Sequence, residues 1–89
     1  MLESIVERRV CEYAKSKGWL VFKFTSPGHI GVPDRMFIRD GKVFFIEFKQ
    51  KGKKPTLLQQ RCMDKIAAEG ITALVADSVE AGKVIVDAQ

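Results

Sequence analysis

The sequence has few of the residues that bind zinc or form disulfide bridges. Its 89 residues include one histidine and only two cysteines, Cys11 and Cys62, which are too far apart to form a metal-spaced motif. Two cysteines also provide no disulfide framework. We therefore interpret both as filler of the hydrophobic core and expect the protein to work in a reducing cytoplasm.

Long apolar runs, repeats and low-complexity tracts are absent as well. No run approaches the roughly 18 residues that a membrane span requires. The first residues include acidic side chains and no apolar core, unlike a secretory signal. Because 46% of the residues are hydrophobic and 29% are charged, we expect residues 1–89 to fold as a single small domain with no membrane contact.

The charge balance is mildly basic. The formal net charge is +4 and the isoelectric point is about 9.3. This excess favours a polyanionic partner such as a nucleic acid, although many basic proteins bind none. A domain of this size cannot contain a large binding cleft of its own, which favours a dimer.

Hydrophobic periodicity and the positions of glycine and proline predict seven elements in the order αβββαβα. Residues 2–17 carry an apolar stripe at helical spacing, and Gly18 follows them as at a helix end. We expect an α/β fold in which a mixed sheet is flanked by helices. The other predicted elements are a strand at 19–25, a hairpin at 34–39 and 42–49, a helix at 56–69, a strand at 71–76 and a short helix opening at Ser78.

The hairpin brings two carboxylates together. Asp40-Gly41 is typical of a two-residue turn, and a turn there pairs Arg39 with Lys42. Counting back along both strands then places Asp34 opposite Glu47. Like charges in such a pair are destabilising unless a cation neutralises them. Strand alternation puts Lys49 on the same face as Glu47. Two carboxylates beside an ammonium group suit a hard divalent cation next to a phosphate.

A plainer interpretation is that both acids lie at strand ends and form surface ion pairs. Three features argue against it. Asp34 follows Pro33 at the end of a glycine-rich loop. Glu47 interrupts an apolar strand, where a lone charge is costly, and Lys49 lies on the same face of the strand as Glu47. A Mg²⁺ or Mn²⁺ ion would offset the repulsion, and the carbonyl of Phe48 is a further candidate ligand.

These residues resemble a known signature. Pro33-Asp34 followed by Glu47-Phe48-Lys49 is similar to the PD-(D/E)xK nuclease motif, and residues 31–35 with Thr56-x-x-Gln59 resemble its VRR-NUC branch, the virus-type replication-repair nucleases. The resemblance covers nearly the whole chain. It implies a restriction-endonuclease-like αβββαβ core and a virus-encoded enzyme acting in a host cell.

The resemblance also implies an activity, namely metal-dependent hydrolysis of DNA phosphodiester bonds that leaves 5′-phosphate and 3′-hydroxyl ends. Stand-alone members of the branch resemble homodimeric resolvases of four-way (Holliday) junctions, which implies branched DNA as the partner and a role in DNA repair. Asp34 and Glu47 would bind Mg²⁺ or Mn²⁺ with the Phe48 carbonyl. Lys49 would orient or deprotonate the attacking water, and Gln59 would position these groups.

Two residues have a second interpretation. In the resembled family, an acidic residue of the first helix reaches the metal; Glu7 is our first choice and Glu3 our second, although either could be a solvated flank. Gln59 fits a capping box with Thr56. It also lies on the apolar stripe of its helix, where a polar side chain needs a partner. Both roles of Gln59 can hold together.

The remaining candidates would contact DNA phosphates. Lysine runs are usually solvated surface, and a single loop histidine is more often incidental than catalytic. The candidates are Lys51, Lys53 and Lys54 after the motif, and Ser26, His29 and Arg35 around the Pro-Asp turn.

Three alternatives stay open at the level of the sequence. The same fold could cut flaps, single strands or ordinary duplex instead of junctions. A non-catalytic DNA-binding module could keep the fold, although it would have no reason to tolerate facing acids. An RNA-processing enzyme is the third alternative.

Overall fold

The computed structural model describes all 89 residues and contains the seven elements in the predicted order αβββαβα. The α/β fold expected from the sequence is therefore confirmed. No helix has the length and apolar character that would let it cross a membrane. The helices are α1 (Glu3–Ser16), α2 (Leu57–Ala68) and α3 (Val79–Asp87), and the strands are β1 (Leu20–Lys23), β2 (Arg35–Arg39), β3 (Lys42–Phe48) and β4 (Thr72–Ala76).

The four strands form one mixed sheet in the order β1-β2-β3-β4. The pairs β1–β2 and β2–β3 are antiparallel, whereas β3 and β4 are parallel and are connected through α2. A parallel connection of this kind needs a crossover element, which α2 provides. The sheet edges are β1 and β4.

The turn between β2 and β3 sets the register of the hairpin. Asp40 and Gly41 both have positive φ, 51° and 77°, as a tight hairpin turn of this type requires. The register pairs Arg39 with Lys42 and Met36 with Phe45, as the sequence predicts. The same register extended by one step beyond the first residue of β2 brings Asp34 opposite Glu47.

One face of the sheet is covered by α1 and α3 and contains the main hydrophobic core. Its apolar side chains on β2 and β3 are fully or almost fully buried, and Phe37 stacks on Phe44 with ring centroids 4.5 Å apart. Trp19 meets the edge of Phe44 at 4.8 Å. The largest fully buried side chains of this cluster are Phe37, Phe44, Phe48, Ile46, Val6 and Val10.

The opposite face carries the alternate residues of the same strands and is covered only in part. Next to β4, α2 packs on it through the buried Met63. On the β1 side, Leu20 and Phe22 are 59% and 51% exposed. They share this face with Ile38 and Met36, their partners in the register. We call these four residues the open sheet face.

Both predicted helix caps of α2 and α3 are present. The hydroxyl of Thr56 accepts from the backbone N–H of Gln59, and the hydroxyl of Ser78 accepts from that of Ala81 at 3.1 Å. Such caps satisfy backbone donors that have no partner within the helix. Cys11 is buried and Cys62 half-buried, and both are free thiols. Burial raises the pKa of the Cys11 thiol to about 11, so it stays protonated at neutral pH.

Candidate active site

Asp34 is held by strands on both sides. Its carbonyl accepts from the N–H of Phe24 at 2.9 Å, which extends the β1–β2 pairing to the start of β2. Its carboxylate atom Oδ2 accepts from the backbone N–H of Phe48, also at 2.9 Å. The side chain of Asp34 therefore points across to the end of β3, where Glu47 lies. The hydrogen bond to Phe48 therefore places Asp34 close to Glu47, as the register predicts.

Glu47 is almost completely buried, with 3% of its surface exposed. Its two carboxylate oxygens have different surroundings. Oε2 accepts from Nε2 of Gln59 at 3.0 Å and lies 3.4 Å from Nζ of Lys49. Oε1 is buried and has no hydrogen-bond partner. An unpartnered buried acceptor on a carboxylate lowers the stability of the fold, because the oxygen has lost its hydrogen bonds to water and no protein donor replaces them.

The electrostatics of Glu47 reflect this environment. Its pKa is raised from 4.5 to about 7, mainly because burial penalises the charged form and next because the charge of Asp34 is close. Lys49 acts in the opposite direction, by its charge and its hydrogen bond. The lysine therefore offsets only part of the penalty. A further positive charge at Oε1 would favour the ionised carboxylate.

The donor set fits a hard divalent cation. The carboxylates of Asp34 and Glu47 and the carbonyl of Phe48 are oxygen ligands of the type that Mg²⁺ and Mn²⁺ prefer. The unpartnered Oε1 of Glu47 is the atom that such an ion would satisfy. No group of three or more His, Cys, Asp or Glu residues in the chain forms a ready-made metal cluster. Water and phosphate oxygens would therefore complete the coordination, as is usual for Mg²⁺.

Gln59 forms the predicted capping box and also contacts Glu47, while its catalytic role stays a prediction. Its Oε1 accepts from the backbone N–H of Thr56 at 2.9 Å, which completes the capping box of α2. Its Nε2 donates to Glu47. The same carboxamide therefore joins the start of α2 to the buried acid.

The acidic residues of α1 separate into two environments. Glu7, the preferred candidate from the sequence, forms a 2.6 Å ion pair with Nε of Arg35 and holds the pKa of that guanidinium above its ordinary value. Glu3, one turn earlier, is the last of the charges that raise the pKa of Glu47. Which of the two acids α1 supplies to the metal stays a prediction, with Glu7 as the first choice.

Strand alternation could have revealed the Arg35 contact in advance. Asp34 faces the site, so the next residue must point to the α1 side of the sheet, as does its register partner Ile46. An arginine there needs an acid on α1. The ion pair engages Arg35, one of the six proposed phosphate contacts, within the fold.

The other proposed DNA contacts lie on exposed loops, with Ser26 half-buried. Lys51, Lys53 and Lys54 are exposed and form no salt bridge. Their loop is anchored by the N–H of Gly52, which donates to Asp77 at 3.1 Å. The carbonyl of Ser26 accepts from the N–H of His29 at 3.1 Å within the loop before Asp34. Three free lysines therefore follow the acid pair directly.

A close contact that sequence reasoning missed joins this loop to α2. Gly31 has φ of 93°, and a Cβ at this position would come within 2.8 Å of the carbonyl oxygen of Leu58. Only glycine avoids both the strained backbone and the clash. Gly31 lies two residues before Pro33, so the loop that carries Pro33 and Asp34 packs directly on the first turn of α2. The glycine at position 31 was the one sequence feature that could have indicated this close backbone contact.

The chain is similar to known proteins in sequence and in structure. No family model matches the chain. The chain is 34% identical over 84 residues to "Putative nuclease p44" of Acyrthosiphon pisum secondary endosymbiont phage 1, covering 93% of this chain and 90% of that protein. A solved structure described as a "VRR_NUC domain" superposes with a TM-score of 0.88 at 25% identity, over 96% of this chain and 94% of the other.

Proposed function

Because the chain belongs to the VRR-NUC nuclease family, we propose that it is a metal-dependent endonuclease that hydrolyses DNA phosphodiester bonds at the Asp34–Glu47 pair. One observation carries the metal dependence. A buried carboxylate oxygen, Oε1 of Glu47, has no partner although a second acid lies beside it. A binding-only protein gains nothing from this arrangement, whereas a hydrolase that holds a cation does.

The positions of the side chains support the following mechanism. Asp34, Glu47 and the Phe48 carbonyl would hold Mg²⁺ or Mn²⁺, which when bound would supply a more acidic water and offset charge on the scissile phosphate. Lys49, 3.4 Å from Glu47, orients or deprotonates the attacking water and stabilises negative charge as it develops. Water attacks phosphorus, the bond to the 3′ oxygen breaks, and 5′-phosphate and 3′-hydroxyl ends result. Gln59 and the Phe48 N–H hold the two carboxylates in place.

The loops on either side of the acid pair would bind the DNA backbone. The free, exposed amines of Lys51, Lys53 and Lys54 supply a sequence-independent attraction that weakens as salt increases. Ser26 and His29 lie on the loop before Asp34 and complete this surface. Arg35 is ion-paired with Glu7, which offsets its charge, so it would contact a phosphate only after that pair opens.

Branched DNA and a homodimer form the finer part of the proposal. A four-way junction has two-fold symmetry, and two identical sites related by a two-fold axis can cut two of its strands. The open sheet face supports association, because Leu20 and Phe22 expose apolar surface on the edge strand β1 itself. Two free thiols fit a reducing cytoplasm as the working compartment.

A cleavage panel tests the substrate. Labelled four-way junction, flap, single-stranded, linear duplex and RNA substrates are incubated with Mg²⁺, with Mn²⁺ or with chelator. We expect symmetric cuts in the junction that require metal. Preferred cutting of another substrate would replace the junction assignment, and equal DNA binding with no cutting under any condition would identify a binding module.

Variants test the site itself. Asp34→Ala and Lys49→Ala should each lose cleavage by about 100-fold or more while binding the junction as the wild type does. Millimolar Mg²⁺ or Mn²⁺ should raise the melting temperature of the wild type, since an ion that binds only the folded state stabilises it. Full activity in either variant removes that residue from the mechanism, and an unchanged melting temperature contradicts the metal site.

A sedimentation experiment tests the dimer. Phe22→Glu should shift a wild-type dimer to monomer and reduce paired cutting, because it places a charge on the open sheet face. Lys42→Glu, on an exposed position of β3 outside that face, is the control. A monomeric wild type at micromolar concentration contradicts the dimer.

A further inference from the structure

We propose that Thr56 is a positioning residue for the active site, because the N-terminal cap of α2 orients the amide that holds Glu47. The effect on cleavage rests on the proposed function. The hydrogen-bond relay from Thr56 through Gln59 to Glu47 does not, and it is measurable in the metal-free protein.

Three hydrogen bonds make up the relay. The hydroxyl of Thr56 accepts from the backbone N–H of Gln59 at 3.2 Å, and the backbone N–H of Thr56 donates to Oε1 of Gln59 at 2.9 Å. Nε2 of Gln59 then donates to Oε2 of Glu47 at 3.0 Å. Thr56 is exposed and touches neither acid, so its influence on the site passes through Gln59.

The chemistry of the two ends sets the orientation of the amide. A backbone N–H can only donate, so the atom facing Thr56 must be the carbonyl oxygen of Gln59. A carboxylate can only accept, so the atom facing Glu47 must be the amide nitrogen. Reversing the amide would place two donors together and two acceptors together. The cap therefore selects the single orientation in which Gln59 donates to the buried acid.

The consequence is that one oxygen of Glu47 is engaged and the other is directed to the site. With Oε2 held by Gln59, Oε1 is the oxygen that has no hydrogen-bond partner. A loosened Gln59 would let the Glu47 carboxylate rotate and exchange its two oxygens. Partners of this kind behind a metal ligand typically affect metal affinity or activity by 10–100-fold.

The backbone at Thr56 allows the donor to be deleted without a change of shape. Its φ is −67°, a value that proline adopts. Thr56→Ser keeps both cap interactions, Thr56→Ala removes the hydroxyl but keeps the N–H, and Thr56→Pro removes both. Ser78→Ala is the matched control, because it removes the same kind of cap from α3, where no site residue depends on it.

The first measurement uses the metal-free protein. In amide NMR spectra, the side-chain NH₂ of Gln59 should exchange with water more slowly than that of exposed Gln50. Thr56→Pro should bring it to the rate of Gln50, whereas Thr56→Ser and Ser78→Ala should leave it unchanged. Gln59→Met identifies the resonance. Unchanged protection in Thr56→Pro overturns the relay.

The second measurement uses function. Thr56→Pro should lower kcat and the affinity for Mn²⁺, measured by calorimetry, by about 10-fold or more, with KM for DNA within about twofold of the wild-type value. Thr56→Ala should have kcat and Mn²⁺ affinity between those of Thr56→Pro and the wild type, and Thr56→Ser should match the wild type in both. Both Thr56→Ala and Ser78→Ala should lower the melting temperature by about 4–8 °C, so stability alone cannot produce the difference in kcat.

The outcomes separate the two proposals. Lost Gln59 protection with unchanged kcat and Mn²⁺ affinity overturns the positioning role while leaving the nuclease intact. If the wild type cleaves nothing, the proposed function fails, and Mn²⁺ affinity together with Gln59 exchange still decides whether Thr56 orients the site. If Thr56→Pro does not fold, Thr56→Ala against Ser78→Ala decides it on the same readouts.

Discussion

Two neighbouring residues of β3 show the contrast between the faces of the sheet. Ile46 and Glu47 are 0% and 3% exposed, so both are removed from water to the same degree. Ile46 points to α1 and α3 among aromatic and aliphatic side chains, whereas Glu47 points to Asp34, Lys49 and Gln59. Equal burial therefore stabilises the fold on one face and opposes it on the other.

The apolar face supplies the stability that lets a domain of 89 residues hold a destabilising site. The face with Phe37 and Phe44 gains apolar burial and aromatic stacking. The site face contains a carboxylate whose raised pKa shows that its ionised form is disfavoured in the fold. A buried charge that lowers stability at one place, offset by apolar packing elsewhere, is typical of functional sites.

Substitutions at Glu47 and Ile46 should separate the two faces by function. Glu47→Gln should reduce cleavage by about 1000-fold, because it removes a ligand charge that no neighbour replaces. Ile46→Val should cost about 1 kcal/mol of stability and leave cleavage within twofold. Quantitative cleavage assays and urea melts of both variants measure this. Comparable losses of cleavage in the two variants would contradict the division between the faces.

The next effect is a pH dependence of stability without metal. The folded protein keeps the Glu47 proton up to about pH 7, whereas the unfolded chain loses it near 4.5. The stabilisation linked to this proton is therefore complete below about pH 4.5 and is lost as the pH rises to about 7. The raised pKa corresponds to a loss on the order of 3 kcal/mol.

Urea melts with chelator at several pH values test this effect. Glu47→Gln cannot titrate, so the difference between wild type and variant isolates the contribution of Glu47 from those of the other acids. The variant should be the more stable protein at pH 8. A difference that does not change between pH 4.5 and 7 would show that Glu47 ionises normally in the fold.

Much of this contrast could be predicted from the sequence, because it depends on short-range geometry. Asp40-Gly41 specifies a turn with two positive φ values, and the turn sets the register of β2 against β3. Period-two alternation then separates Ile46 from Glu47 and places Lys49 with the acid. The cap at Thr56 follows from local preference in the same way.

Other features depend on how elements cross in space, which no local pattern encodes. The apolar stripe of α1 shows which face packs on the sheet, yet it does not show which turn lies over the acid pair. The choice between Glu7 and Glu3 therefore depends on three-dimensional geometry and stays a prediction. The contact of Gly31 with Leu58 and the exposure of Leu20 and Phe22 likewise depend on where α2 lies on the sheet.

The smallest expected effect resolves the two acids of α1. Glu7→Gln should cost about 1 kcal/mol of stability, because it breaks a part-buried ion pair with Arg35, and should leave cleavage within twofold. If Glu3 is the acid that contacts the metal through water, Glu3→Gln should lower cleavage by about 10-fold with little loss of stability, although loss of its charge alone would favour the ionised form of Glu47. Melting curves and cleavage rates on both variants decide the matter. If Glu7→Gln instead loses as much cleavage as Asp34→Ala while Glu3→Gln is fully active, then the ion pair with Arg35 gives way when metal and DNA bind, and Glu7 is the acid that α1 supplies to the site.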